Sequence, residues 1–223
     1  MTIPKTIERF QFITIDHYEI SHAEQAIRAY KAGCKWVQLR MKNCSDDEIE
    51  QEIIKILPVA NAHNAKLLIN DHVEIAFRTA AHGVHLGKND MSVTEARRIL
   101  GPDYIIGGTA NSFEDVMAMI DHNVDYVGVG PFRFTSTKKN LSPIIGLYGY
   151  EQLLFRLKIR NKSIPIIAIG GITENDVEDL LQRDIYGIAA ASSILLYKQI
   201  ETNIQKYQQI IQQFKYETID NCR

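Results

Sequence analysis

The chain has little that would tie it to an oxidising compartment, a membrane or a nucleic acid. Its three cysteines, Cys34, Cys44 and Cys222, stand far apart with no CxxC pair. That pattern fits neither a disulfide framework nor a zinc site, and it predicts reduced thiols. No segment approaches the ~20 apolar residues of a membrane-spanning helix. The opening MTIPKTIERF has neither a long apolar run nor a small-residue cleavage site. A cytoplasmic protein is the expectation. Acidic and basic residues nearly cancel, 27 against 25, so no cationic surplus exists to drive nonspecific nucleic-acid binding, and any cationic site must be local. The seven histidines include no HExxH pair. His82 and His85 sit too near a strand pattern to share a helix face, so ordinary core or surface histidines are expected there. No Ser-His-Asp or Cys-His arrangement asks for a covalent intermediate.

What the chain does have is a repeating alternation. Short β-branched runs begin at Phe10 (FQFITI), Trp36 (WVQLRM), Lys66 (KLLIND), Gly83 (GVHLG), Tyr104 (YIIGGTA), Tyr126 (YVGVGP), Ile164 (IPIIAIGG) and Gly187 (GIAAAS). Between them lie stretches such as SDDEIEQEIIKILPVANAH from Ser45 and TENDVEDLLQ from Thr173. These carry apolar residues at helical spacing behind capping and acidic residues, and they predict helices. Strands apolar on both faces imply an all-parallel sheet covered by helices. Eight such units in 223 residues, 45% of them hydrophobic, predict a single-domain (β/α)8 barrel spanning the chain. A doubly wound open sheet is the alternative, but the first βα turn lacks a GxGxxG fingerprint. A short helix ahead of the first strand is compatible with the pattern. Tyr197 to Tyr216 reads as the last helix.

In a barrel the chemistry stands at the C-terminal strand ends. After the second strand, Gln38, Arg40 and Lys42 lie two apart, on one face of an extended chain. Cations snorkelling into solvent are the plainer reading of that face. The third strand ends in Asn70 and Asp71, and HLGKND after the fourth leads to Asp90. Neighbouring parallel strands lie about 4.8 Å apart, so the two carboxylates can converge on one ion. Mg2+, which needs only one or two carboxylates besides water and phosphate, suits this donor set. The plainer reading makes Asp71 a helix cap and Asp90 a turn residue.

Following YVGVGP, the TSTKK loop of Thr135 to Lys139 offers hydroxyls, backbone amides and a mobile ammonium. Gly170 and Gly171 after the seventh strand, and the small residues from Ala189 to Ser193 at the eighth, leave room for a phosphate against the backbone. Each alone is as readily a solvated turn. Together they make two phosphate-handling regions, one of which pairs a metal with Arg40, Lys42 and Lys138 in a way suited to a departing pyrophosphate.

The ordered set QLRMK, IND, GVHLGKND, YVGVGPFRFTSTKK, PIIAIGGI and AAASSI, from about Phe12 to Ile194, resembles the thiamine-phosphate synthase family, also called thiamine-phosphate pyrophosphorylase. The resemblance implies joining of hydroxymethylpyrimidine diphosphate to a thiazole phosphate, with release of pyrophosphate through a pyrimidine methylene cation. By position it implies that Gln38, Arg40, Lys42, Asn70, Thr109 and Lys138 bind the pyrimidine diphosphate, with Arg40, Lys42 and Lys138 catalytic. It assigns Mg2+ to Asp71 and Asp90, and the thiazole phosphate to Thr135, Thr137, Gly171, Ala191 and Ser192. Small-molecule substrates are implied, without nucleic acid or membrane; a homo-oligomer is compatible with it. The chain departs from the family where a Ser and, two positions on, a His are common: here stand Thr109 and Asn111. Asn111 cannot titrate, so it cannot take over proton transfer by that His. Phe134 replaces a frequent Pro. The rivals are a thiazole tautomerase of the same fold, against which Asp90, Lys138 and Asn111 argue, and a catalytically silent phosphate-binding barrel.

Overall fold

A computed structural model describes residues 6–17, 19–134, 142–196 and 199–220. Eight parallel strands close a barrel in sequence order: β1 Phe10–Ile13, β2 Trp36–Leu39, β3 Lys66–Asn70, β4 Gly83–Leu86, β5 Ile105–Ala110, β6 Tyr126–Val129, β7 Ile166–Ile169 and β8 Gly187–Ala190. Phe12 registers with Val37 on one side and with Ala190 on the other, which shuts the ring. The helices are α1 His22–Lys31, α2 Asp46–Ala62, α3 Val73–Thr79, α4 Val93–Leu100, α5 Phe113–Asp121, α6 Gly146–Ile159, α7 Val177–Gln182, α8 Ser192–Leu195 and α9 Ile200–Asp220. The (β/α)8 barrel expected from the alternation is the one formed. Residues 6–9, ahead of β1, carry no helix.

Strand parity explains why the repeat folds this way. Ile13, Trp36, Leu68, Ile105, Tyr126, Ile167 and Ala189 fill the barrel's interior as one apolar cluster. Their neighbours, such as Val37, Leu67, Ile69 and Ile106, face out against the helices. Both faces are therefore dry, which is what continuous apolar runs in a parallel sheet require. Trp36 meets Tyr126 edge-on, with ring centroids 4.7 Å apart. At the N-terminal end Lys66 closes the barrel floor, its ammonium 3.1 Å from both Glu8 Oε1 and Thr6 Oγ1.

The helices begin at the opposite end, and a recurring four-residue signal pins them there. Ser21, Ser45, Ser92 and Ser112 each accept from the backbone N–H three residues on, that of Glu24, Glu48, Glu95 and Asp115. Ser45 with Glu48, and Thr173 with Asp176 ahead of α7, close a reciprocal capping box. Each cap satisfies amides that the first helical turn leaves without partners. Because these caps end βα loops, they fix where those loops pass into the helices around the barrel mouth. Among the described residues, no helix is long and apolar enough to cross a membrane.

Candidate active site

A cavity of about 320 Å3 opens at the C-terminal strand ends, where the small inward residues of β5, β6 and β8 leave the barrel unfilled. Gln38, Arg40 and Lys42 line it from β2 and the loop beyond, and Asn70 and Asp71 from β3. Asp90 reaches it from the loop after β4, and Thr109 from β5. Gly171, Ala191 and Ser192 complete the far wall. Thr135, Thr137 and Lys138 lie outside the described residues, although the described flanks of their segment, Pro131 and Ser142, both line the cavity.

The carboxylate pair is the electrostatic centre of one wall. Asp71 holds a left-handed backbone, φ 69°, a conformation that costs a non-glycine residue and points to a constrained site. Its N–H donates to the His85 carbonyl at 2.9 Å. The residue in the N-cap place of α3 is His72, with no side-chain cap; the Asp71 carboxyl meets Asp90 instead. Capping by Asp71, the plainer expectation, is therefore not what forms. Burial, with the hydrogen bond to Asp90 and its like charge, pushes the Asp71 carboxyl up to about 7; Lys42 and Arg40 pull the other way. Asp90 does sit in a turn, where its Oδ2 accepts the Gly87 N–H at 2.5 Å. A Cβ at Gly87 would stand 2.8 Å from that oxygen, so the glycine makes space for it. Two carboxylates brought this close, one of them pushed toward its protonated form, are a donor set that a divalent cation fits, since the cation supplies the missing positive charge. Among the described residues they have no third His, Cys, Asp or Glu beside them, as suits an ion whose other ligands are water and phosphate.

Arg40 is held from behind. Its backbone N–H donates to Thr14 Oγ1 at 3.1 Å; that oxygen lies 2.7 Å from His22 Nδ1, and His22 Nε2 lies 3.1 Å from Asp16. Burial draws the guanidinium below the ordinary arginine range, with Asp71 and Asp16 opposing.

Across the mouth, Gly170 and Gly171 both adopt left-handed backbones, φ 99° and 72°. A Cβ at Gly170 would stand 2.8 Å from Pro131 Cα, and one at Gly171 2.5 Å from Arg133 Cγ. The glycines thus let the chain leaving β6 cross directly over the end of β7, where Phe132 and Arg133 N–H groups donate to Ile169 and Gly170 carbonyls. Ser192 opens α8 at the rim, whereas Ser193 turns inward and donates to the Ile172 carbonyl.

Residues 10–194 match the family model described as Thiamine monophosphate synthase. The chain is 47% identical over 185 residues to a thiamine-phosphate synthase of Bacteroides thetaiotaomicron, covering 83% of this chain and 88% of that one. It is also 47% identical to the thiamine-phosphate synthase of Phocaeicola vulgatus, covering 87% and 93%. The chain belongs to the thiamine monophosphate synthase family. A solved structure titled thiamine phosphate pyrophosphorylase, from Pyrococcus furiosus, superposes with a TM-score of 0.81 at 25% identity, over 92% of this chain and 96% of that one.

Within this family fold, sequence reasoning passed over His85, expected to be an ordinary histidine. It lines the cavity, 2.9 Å from Thr109 Oγ1 on one side of its ring and 2.8 Å from the Tyr126 hydroxyl on the other. Parity could have found it: Val84 and Leu86 face the helices, so His85 between them must face in. Asn111, standing where the family often has His, donates from Nδ2 to the Gly130 carbonyl at 2.5 Å. It ties β5 to the chain leaving β6.

Proposed function

We propose that the chain carries out thiamine-phosphate synthesis, joining hydroxymethylpyrimidine diphosphate to a thiazole phosphate with loss of pyrophosphate, and that the cavity residues divide this work by wall. The observation that carries the reading is the convergence of Asp71, Asp90, Arg40 and Lys42 at one wall of a cavity whose other wall is glycine and small residues. The first wall suits a diphosphate and the second a monophosphate. Gln38, Asn70 and Thr109 hold the pyrimidine. Arg40 and Lys42, with Lys138, receive the pyrophosphate as its charge develops, and Thr14 pins the Arg40 backbone from which the guanidinium extends. Asp71 and Asp90 would hold Mg2+, which supplies charge neutralisation to the diphosphate when bound. Gly171, Ala191 and Ser192, with Thr135 and Thr137, seat the thiazole phosphate so that its ring nitrogen faces the pyrimidine methylene carbon.

Bond breaking precedes bond making here: the C–O bond to pyrophosphate gives up its electron pair to the leaving group, and the thiazole nitrogen then donates its pair to the methylene carbon. No protein base is required, which agrees with Asn111, a residue that cannot titrate. Positioning and electrostatics carry the barrier reduction. A cytoplasmic location belongs to the same reading, as do small-molecule substrates without nucleic acid or membrane. The test is to supply both substrates with and without Mg2+ and to measure pyrophosphate and thiamine phosphate together. Equal, Mg2+-dependent formation of both is expected; well-folded protein that makes neither would overturn the reading.

A further inference from the structure

Beneath the cavity a chain of side chains crosses the barrel, and the functional reading above leaves three of them without a task. Gln38 Nε2 donates to Gln11 Oε1 at 3.2 Å, and Gln11 Nε2 donates to the Tyr126 hydroxyl at 3.3 Å. The Tyr126 oxygen lies 2.8 Å from His85 Nδ1, and His85 Nε2 lies 2.9 Å from Thr109 Oγ1. The five residues come from β2, β1, β6, β4 and β5, so only the closed barrel brings them together. Gln11, Gln38, Tyr126 and His85 are all buried. Two glycines clear the path. A Cβ at Gly107 would stand 2.1 Å from Tyr126 Cζ, and one at Gly128 would stand 3.1 Å from His85 Cε1. Space has been reserved for this row where an apolar core would have been simpler to pack.

Proton order follows from satisfaction of each buried donor. Gln11 gives an amide hydrogen to Tyr126, so the Tyr126 oxygen accepts there. Among the described residues, the acceptor placed for Tyr126's own hydrogen is His85 Nδ1. A ring that accepts at Nδ1 carries its hydrogen at Nε2 and donates it to Thr109 Oγ1. The Thr109 oxygen is then occupied from inside the protein, and its hydrogen is available to the cavity. At the other end Gln38 spends an amide hydrogen on Gln11 and keeps its carbonyl oxygen for a ligand.

We infer that Tyr126 is a positioning residue that, through His85, fixes Thr109 as a hydrogen-bond donor and, through Gln11, fixes Gln38 as an acceptor toward the aminopyrimidine ring. The inference rests on the functional reading above. An aminopyrimidine carries both complementary groups, amino hydrogens and ring-nitrogen lone pairs. A pyrimidine with an oxo group in place of the amino group would present an acceptor to an acceptor, so the relay is also a specificity device. Because its polarity is set before the substrate arrives, nothing must reorient as the pyrimidine cation forms.

The experiment combines histidine-selective 15N NMR with steady-state kinetics on Tyr126→Phe, which removes the hydroxyl and keeps the ring. In the wild type, His85 should be the Nε2–H tautomer. In Tyr126→Phe that signature should be lost and KM for the pyrimidine diphosphate should rise roughly tenfold, with KM for the thiazole phosphate unchanged. Gly107→Ala, which displaces Tyr126, should do the same. An active wild type with its His85 proton on Nδ1 would overturn the relay and leave the synthase reading standing. So would a Tyr126→Phe enzyme with unaltered pyrimidine KM, or one in which both KM values rise together. The wild-type tautomer decides the question even if neither variant folds.

Discussion

Acidification should loosen a divalent cation from this protein, by an amount that the carboxylate pair sets. Asp71 is pushed up to about 7 by burial and by Asp90, so in the metal-free fold about a tenth of it is protonated at about pH 8 and about nine-tenths at about pH 6. The cation binds the deprotonated form, so apparent affinity should fall about tenfold between those two pH values. The sign for stability is the reverse of the usual aspartate. Without the ion, folded Asp71 keeps a proton between roughly pH 4 and pH 7 that the unfolded chain has lost, so the fold loses stability as pH rises through that window. Calorimetric titration with Mn2+ as the probe, in buffers of different ionisation enthalpy, counts the protons. About one should leave per ion bound at about pH 6, and about a tenth of one at about pH 8. Asp71→Asn should abolish both the proton release and most of the affinity. Equal affinity at the two pH values with no proton release would refute the account of a raised Asp71 at the site.

Other perturbations separate the walls of the cavity from the frame that holds it. Lys138→Ala should lower kcat by about a hundredfold or more, because the departing pyrophosphate loses a counter-charge; single-turnover measurement of pyrophosphate release checks this, and an unchanged rate removes Lys138 from the mechanism. Gly171→Ala places a side chain on a backbone with φ 72° and against Arg133. It should cost about 1–3 kcal/mol in denaturant unfolding and raise KM for the thiazole phosphate alone. Asn111→Asp sets a carboxylate against the Gly130 carbonyl in place of an amide donor. It should lower stability by about 1–3 kcal/mol, more than Asn111→Ala does, as paired thermal melts will show. Lys66→Ala, at the barrel floor, removes the partner of Glu8 and Thr6. Glu8 is 38% exposed and stays solvated, so the variant should destabilise the fold by only about 1 kcal/mol while leaving kcat unchanged, since it is remote from the cavity; a fall in kcat equal to that of an active-site variant would contradict the division between floor and mouth.

Much of this was readable along the chain. The eight strands lie where apolar runs recur, because a parallel sheet buried on both faces tolerates little else. The helices begin where Ser45 and Thr173 signalled, because a cap is a local bond between residues three apart. Gln38, Arg40, Asn70, Asp71, Gly171 and Ser192 were legible as cavity-lining candidates for a related reason, and Thr109 through the family resemblance. Polar or glycine positions at the C-terminal ends of otherwise apolar strands have nowhere to go except the mouth of the barrel.

His85, Tyr126 and Gln11 were not legible as a unit. Tyr126 lies 115 positions from Gln11 and 41 from His85, and it reads as one more aromatic in an apolar strand until the barrel closes and sets its hydroxyl 2.8 Å from His85. The same closure decides the charge state of Asp71. A carboxylate in an extended chain is simply hydrated; burial and the approach of Asp90 from the next loop raise its proton affinity. Local pattern, set by periodicity and capping, determined the elements and which residues stand at their ends. Tertiary structure alone decided which of those residues touch, and with that the direction of each hydrogen bond and the raised proton affinity of Asp71.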